Sequence, residues 1–370
     1  MDRVQKPEGC GDQMTGGILS EIICRNETMK VPENIFIELK QLGIGYAKST
    51  SGSCILADLL SMQVKAGEII ALVGRNGCGK STLLRTMARM QSPLKGTVFI
   101  GGKDIKSIAR LEFAKILSFV STEIVDIPYI RVSELVSLGR YPHTNWIGSI
   151  SGPDKAVVNN AIELAGIGHL RNKLMHELSD GERQKTMIAR ALAQDTRIII
   201  LDEPTAFLDL PNRYELLRLL NHLAHEMGKT VLYSTHDLSI ALHESDKLWL
   251  MASGTLIEGA PEDLIITKGF HKLFENSDLY FDMNAADFRL RRKYTGHIRI
   301  EGDPELMLWT SRALERIGIK TRDEDTGGTS ILAGYQKGSP VWSLNFNEQL
   351  QTFFSVYDLI SFLKIVQIKN

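Results

Sequence analysis

The 370-residue sequence predicts an α/β fold: a buried parallel sheet with a helical insertion, followed by a smaller α+β unit. Three observations carry that prediction. The apolar run Ile69-Ile70-Ala71-Leu72-Val73 enters a glycine-rich loop, and Leu83, Leu84, Met87 and Met90 then recur at helical spacing. Two further apolar runs, 198–201 and 230–235, end abruptly in Asp202-Glu203 and His236-Asp237, as strands do that deliver polar side chains to one sheet edge. After about residue 296 the periods change, and a strand, a helix, two strands and a helix follow in compact order.

Residues 1–31 are polar and glycine-containing without a sustained period, and are read as a flexible leader. Ile35, Ile37 and Leu39 alternate with Phe36, Glu38 and Lys40 as in a strand, and Gly43-x-Gly45 is read as a turn that presents Tyr46 for stacking on an adenine. The loop Gly74-Arg75-Asn76-Gly77-Cys78-Gly79-Lys80-Ser81-Thr82 matches the phosphate-binding pattern G-x-x-x-x-G-K-[ST]. Its glycines let backbone N–H groups converge on phosphate oxygens at a helix N-terminus. Lys80 then supplies a charge to the β- and γ-phosphates, and Ser81 a hydroxyl to Mg²⁺.

Strands are expected at 96–100 and 116–120, and the helical pattern from Val132 to about Leu170 reads as an insert. Ser179 is placed to cap the helix that carries Met187 to Leu192, which makes its start a second anion site. Asp202 and Glu203 follow a wholly apolar strand, and carboxylates are costly there unless they are paired or hold a metal. His236 arrives at the same edge from the neighbouring strand. His222 and His225 are read as surface residues of an amphipathic helix, because no third metal ligand is nearby. Residues 247–259 form a hairpin-like close, Pro261 opens a helix, and Arg289, Arg291, Arg292 and Lys293 read as a solvated linker.

A formal net charge of −1, with 43% hydrophobic and 24% charged residues, lacks the basic excess of a nucleic-acid binder. Four cysteines without a C-x-x-C pair argue against a disulfide framework or a zinc site. No apolar stretch is long enough to span a bilayer, so any link to a membrane is expected through a partner.

Together these motifs resemble the ATP-binding subunit of an ABC transporter, from Ile35 to about Leu264. The resemblance implies a P-loop ABC ATPase domain at 32–285 with a helical subdomain at about 123–195, then an accessory β-α-β-β-α domain at 286–370 of possible regulatory role. It implies ATP and Mg²⁺, with Gly74, Asn76, Gly77, Cys78, Gly79, Lys80, Ser81 and Thr82 around the phosphates and Tyr46 on the adenine. The family signature is Leu178-Ser179-Asp180-Gly181-Glu182, with Asp180 and Glu182 where glycine and glutamine are commoner. Asp202 corresponds to the Mg²⁺-holding aspartate, Glu203 to the hydrolytic glutamate, Asp209 to the dimer-loop aspartate and His236 to the switch histidine. Two chains would sandwich two ATP molecules, each phosphate loop facing the partner's signature helix.

Leu138-Gly139-Arg140-Tyr141-Pro142-His143 is similar to a stretch in importers of iron-siderophore, haem and cobalamin. This implies permease subunits, a substrate-binding protein acting through them, no nucleic acid, and a peripheral position on the cytoplasmic face of the inner membrane. Where the family has a glutamine that touches Mg²⁺ and the permease, this chain has Phe119-Val120-Ser121-Thr122-Glu123. Thr122 occupies the aligned position and is favoured to face the metal, with Glu123 the alternative. Two other readings stand beside the importer. One is an amino-acid importer with a regulatory C-terminal domain; the other is a soluble ABC-type ATPase acting on DNA or ribosomes, which the absence of tandem repeats and long heptads disfavours.

Overall fold

The computed structural model describes residues 35–48, 52–123, 129–144, 150–274, 278–282, 287–322, 329–347 and 349–369. The expected leader lies outside them. The chain forms two compact units that divide between Leu273 and Phe274.

The first unit opens with an antiparallel sheet, ordered β2-β1-β4-β5, of β1 (Ile35–Lys48), β2 (Gly52–Lys65), β4 (Lys95–Ile100) and β5 (Lys103–Asp104). The expected turn at Gly43-x-Gly45 is instead part of β1, whose register with β2 shifts repeatedly between Leu39 and Gly45. The physical reason is close strand approach: a Cβ on Gly45 would come within 2.0 Å of the Cys54 carbonyl oxygen, so glycine here permits pairing rather than turning.

A second sheet has the order β10-β9-β3-β8-β7-β6. It comprises β3 (Ile69–Gly74), β6 (Leu117–Val120), β7 (Ile198–Leu201), β8 (Thr230–Thr235), β9 (Lys247–Ala252) and β10 (Thr255–Gly259). All neighbours are parallel except the β9–β10 hairpin. Both faces of its middle strands are covered, so β3, β7 and β8 are buried at every position. Ile70 and Leu72 of β3 share one apolar core with Leu39 and Leu42 of β1, with Trp249 of β9, and with Leu83, Leu84 and Met87 of α1 (Lys80–Met87).

Helices α2 (Arg110–Ile116), α3 (Val132–Ser137), α4 (Gly152–Leu164) and α5 (Asp180–Ala193) make up the helical part, and α6 (Leu210–Asn221), α7 (Leu238–Glu244) and α8 (Pro261–Ile266) flank the later strands. The 138–143 segment is a 3₁₀ stretch rather than a continuation of the α-helical stripe. Gly139 lets it lie on α5, since a Cβ there would meet the Arg190 carbonyl at 2.2 Å. Arg140 and Asp154 form a buried ion pair at 2.9 Å, and the guanidinium also donates to the Ala193 carbonyl. His222 and His225 are surface residues, each beside a carboxylate, Glu226 and Asp246.

The second unit begins with the hairpin β11 (Leu279–Asp282) and β12 (Asp287–Leu290). Residue 289 is therefore strand, not linker: Arg289 lies 3.1 Å from Asp282 and 3.9 Å from Glu315. A five-stranded sheet follows in the order β14-β13-β15-β16-β17, made of β13 (Gly296–Gly302), β14 (Ile319–Arg322), β15 (Ser330–Gln336), β16 (Ser339–Phe346) and β17 (Gln349–Phe353), with α9 (Pro304–Arg316) and α10 (Val356–Lys369). The β-α-β-β-α expectation thus lacks two strands. Both are short edge strands, Ile-Lys-Thr-Arg and Gln-Leu-Gln-Thr-Phe, whose polar share hides them from a periodicity search. Ile300, Leu314, Trp342, Leu344 and Leu359 fill a core of their own. The Trp342 indole N–H donates to Thr310 Oγ1 at 2.8 Å, so its polar edge is satisfied within that core.

Candidate active site

Strands β3, β8, β7 and β6 are neighbours and parallel, so their C-terminal ends lie in a row. From that row come the phosphate loop after β3, His236 after β8, Asp202 and Glu203 after β7, and Thr122 after β6. Crevices at such strand ends are where α/β sheets bind ligands.

The phosphate loop turns through Gly77 at φ 79° and Gly79 at φ 110°, both in the left-handed region. Gly74 is required for a different reason, because a Cβ there would meet the Met251 carbonyl at 2.5 Å. Gly79 caps α1 without a side-chain hydrogen bond, which leaves the helix's first N–H groups for an anion. Lys80 is buried, and its Nζ donates to the Gly74 carbonyl at 2.9 Å and the Arg75 carbonyl at 3.4 Å. Glu203 Oε1, at 3.8 Å, is its nearest carboxylate among the described ion pairs. Burial pushes the Cys78 thiol above its usual value despite the Lys80 charge, which favours the protonated form.

Asp202 is nearly wholly buried, and two hydroxyls satisfy one of its oxygens. Ser81 Oγ donates to Oδ1 at 3.0 Å and Ser234 Oγ at 2.7 Å. Ser234 in turn accepts the Glu203 N–H at 2.8 Å. That contact holds a strained residue, since Glu203 sits at φ 46° immediately before Pro204, a conformation costing roughly 1–3 kcal/mol. His236 Nδ1 lies 3.8 Å from Glu203 Oε2, and its ring is largely exposed. Ser234 was not among the expected site residues. Its signal was a hydroxyl in the interior of an apolar strand, Val-Leu-Tyr-Ser-Thr, where a polar group needs partners.

Thr122 Oγ1 donates to the Asp202 carbonyl at 2.8 Å, whereas exposed Glu123 pairs with Arg85 at 2.7 Å. Tyr46, half exposed on β1, bonds Thr82 Oγ1 through its hydroxyl at 3.1 Å, which fixes its ring beside the loop.

The signature residues form a separate cluster at the start of α5. Ser179 and Glu182 form a reciprocal cap: the Ser179 N–H donates to Glu182 Oε2 at 2.8 Å, and the Glu182 N–H donates to Ser179 Oγ at 3.3 Å. The Ser179 N–H, followed by its hydroxyl, holds the Glu182 carboxyl below its usual value. Gly181 lies against the loop before α6, where a Cβ would meet the Phe207 carbonyl at 3.3 Å. Asp209 caps α6 through the Asn212 N–H. Among the described residues, no hydrogen bond or ion pair joins Ser179, Gly181 or Glu182 to the phosphate loop of the same chain.

Residues 57–206 match a family model described as ABC transporter, and residues 295–364 match one described as iron ABC transporter C-terminal domain. The achromobactin transport ATP-binding protein of Dickeya dadantii is 40% identical over 231 residues, 62% of this chain and 84% of that protein. The ferric enterobactin transport ATP-binding protein of Escherichia coli is 36% identical over 236 residues, 64% of this chain and 85% of that protein. Among solved structures, a dimeric ATP-binding cassette in a post-hydrolysis state, bound to ADP and Pi, aligns with a TM-score of 0.55 at 27% identity, covering 61% of this chain and 98% of that one.

Proposed function

The chain belongs to the ATP-binding proteins of ABC transporters, and on that premise we propose that its ATP hydrolysis drives uptake of an iron chelate through a separate membrane permease. The observation that carries the ATPase reading is the convergence of Lys80, Asp202, Glu203 and His236 at one row of strand ends. The cargo rests on the relatives, on the match of 295–364, and on the Leu138–His143 stretch. Within that stretch Gly139, Arg140 and His143 serve packing, while Leu138 and Tyr141 are 53% and 67% exposed and are the residues assigned to permease contact. No described helix is long and apolar enough to cross a membrane, which fits a peripheral subunit held at the cytoplasmic face by its permease.

In the mechanism we assign, the first N–H groups of α1 and the Lys80 ammonium hold the β- and γ-phosphates. Tyr46 stacks on the adenine. Ser81 Oγ and Asp202 Oδ1 are two hard oxygen donors 3.0 Å apart, and Thr122 Oγ1 is held nearby on the Asp202 main-chain carbonyl. That donor set fits Mg²⁺, which takes few protein ligands and completes its shell with water and phosphate. When bound, Mg²⁺ neutralises charge on the phosphate oxygens. Glu203, its main chain pinned by Ser234, orients the attacking water and takes its proton, while His236 lines up the γ-phosphate. Ser179, Gly181 and Asp209 close the site of a second copy across a two-fold axis, which accounts for their separation from the phosphate loop of their own chain.

The cargo is tested in vesicles holding the chain with its permease. ATP hydrolysis there should rise when the matching binding protein is loaded with a ferric siderophore, and iron should accumulate inside. Stimulation by an amino-acid-loaded binding protein, and none by the ferric siderophore, would overturn the cargo and leave the ATPase assignment intact.

A further inference from the structure

The second unit has a cavity of its own. An open cleft of about 930 Å³, within the size range of small-molecule sites, lies where β13 starts, where the Gly318 turn leads into β14, and where α10 passes overhead. Lys293, His297, Arg316 and Lys364 line it, and its floor is apolar, with Phe346 and Leu363. Among the described residues no carboxylate lines it.

Outside the cleft Arg289 pairs with Asp282 and Glu315, whereas the cleft lining gathers three cationic side chains and His297 with, among the described residues, no carboxylate. Arg316 also borders a neighbouring cavity of about 420 Å³, which Glu315 lines. Like charges converging on one concavity repel, and folding gains nothing from that arrangement, so an anionic occupant is the natural complement.

We propose that this cleft binds a small organic polyanion, two or more carboxylates on an apolar or aromatic body. The Arg316 fork grips one carboxylate in two-point fashion, Lys293 and Lys364 supply point charges to another, and the organic body rests on Phe346 and Leu363. The apolar floor selects against inorganic phosphate, which has no apolar surface to bury.

Isothermal titration calorimetry of the full-length chain with phthalate, citrate, ferric citrate and inorganic phosphate tests the assignment. Phthalate and citrate should bind with one site per chain, and phosphate at least about tenfold more weakly. The Arg316→Gln/Lys364→Gln double variant should lose at least about tenfold in affinity, and Arg316→Lys with native Lys364, which restores charge but not the two-point grip, should recover only part of it. Binding of citrate alone identifies a free organic acid as the occupant, and tighter binding of ferric citrate identifies a metal chelate. The proposal fails if no organic anion binds at millimolar concentration, or if binding survives the double variant unchanged.

Discussion

In the proposed mechanism, Ser234 is the residue that links the two acidic groups. Its one hydroxyl donates to the Asp202 carboxylate and accepts from the Glu203 main chain, so a single side chain ties the metal-side aspartate to the base. Ser234→Ala leaves a half-buried N–H without its side-chain acceptor, a loss of about 1 kcal/mol, and frees Glu203 to relax from φ 46°. We expect kcat to fall about tenfold or more with KM for ATP little changed, and Ser234→Thr, which keeps the hydroxyl, to recover much of it. An equal loss in kcat and ATP affinity would instead indicate collapse of the whole loop. Thr122 and Glu123 are proposed to divide a second task. Thr122 stays beside Asp202 while Glu123 turns to Arg85. Thr122→Val should therefore slow hydrolysis and raise the Mg²⁺ concentration it needs, whereas Glu123→Gln should leave basal hydrolysis near normal and reduce stimulation by the permease. Finding the two effects exchanged would reverse the assignment. The motif residues were legible in the sequence because loop spacing and abrupt strand ends reflect local chemistry. Ser234 was not, since a hydroxyl inside a strand acquires its role only from what the neighbouring strand brings beside it.

At the scale of elements, the strands β3 and β7 were legible because burial on both faces leaves an unbroken apolar run, as in Ile198–Leu201. The failures fall where an element is half polar or irregular. Gly43 and Gly45 look like turn residues yet sit in a bulged strand, and the edge strands β14 and β17 carry too few apolar positions to show a period. The α5 cap was legible from Ser179, three residues before Glu182, and the structure adds the reciprocal bond. Its pH dependence follows. Because Glu182 is held below its ordinary value of 4.5, its contribution to helix stability is complete above that pH and is lost as pH falls through the lowered value. The gap in thermal midpoint between the parent and Glu182→Ala should be constant from neutral pH to about 5 and narrow on further acidification. A gap that widens in acid would show that the carboxylate is not the stabilising form.

At the scale of the whole molecule, two units with separate cores were expected from the change of period near residue 296, and the structure divides at 273/274. The hairpin lies across the expected division at 285/286, because residues 279–282 pair with 287–290 and so belong to the second unit. Among the described residues the phosphate loop and the signature cluster of one chain share no hydrogen bond or ion pair, as the proposed two-chain site requires. The most direct measurement is the mass of Glu203→Gln by light scattering, with and without ATP. The amide keeps the shape of the carboxylate but cannot take the proton from water, so ATP should stay intact between two copies and convert monomer to stable dimer, while ADP should not. A variant that remains monomeric in ATP, or that hydrolyses ATP at near the parent rate, would contradict both the role of Glu203 and the two-chain site.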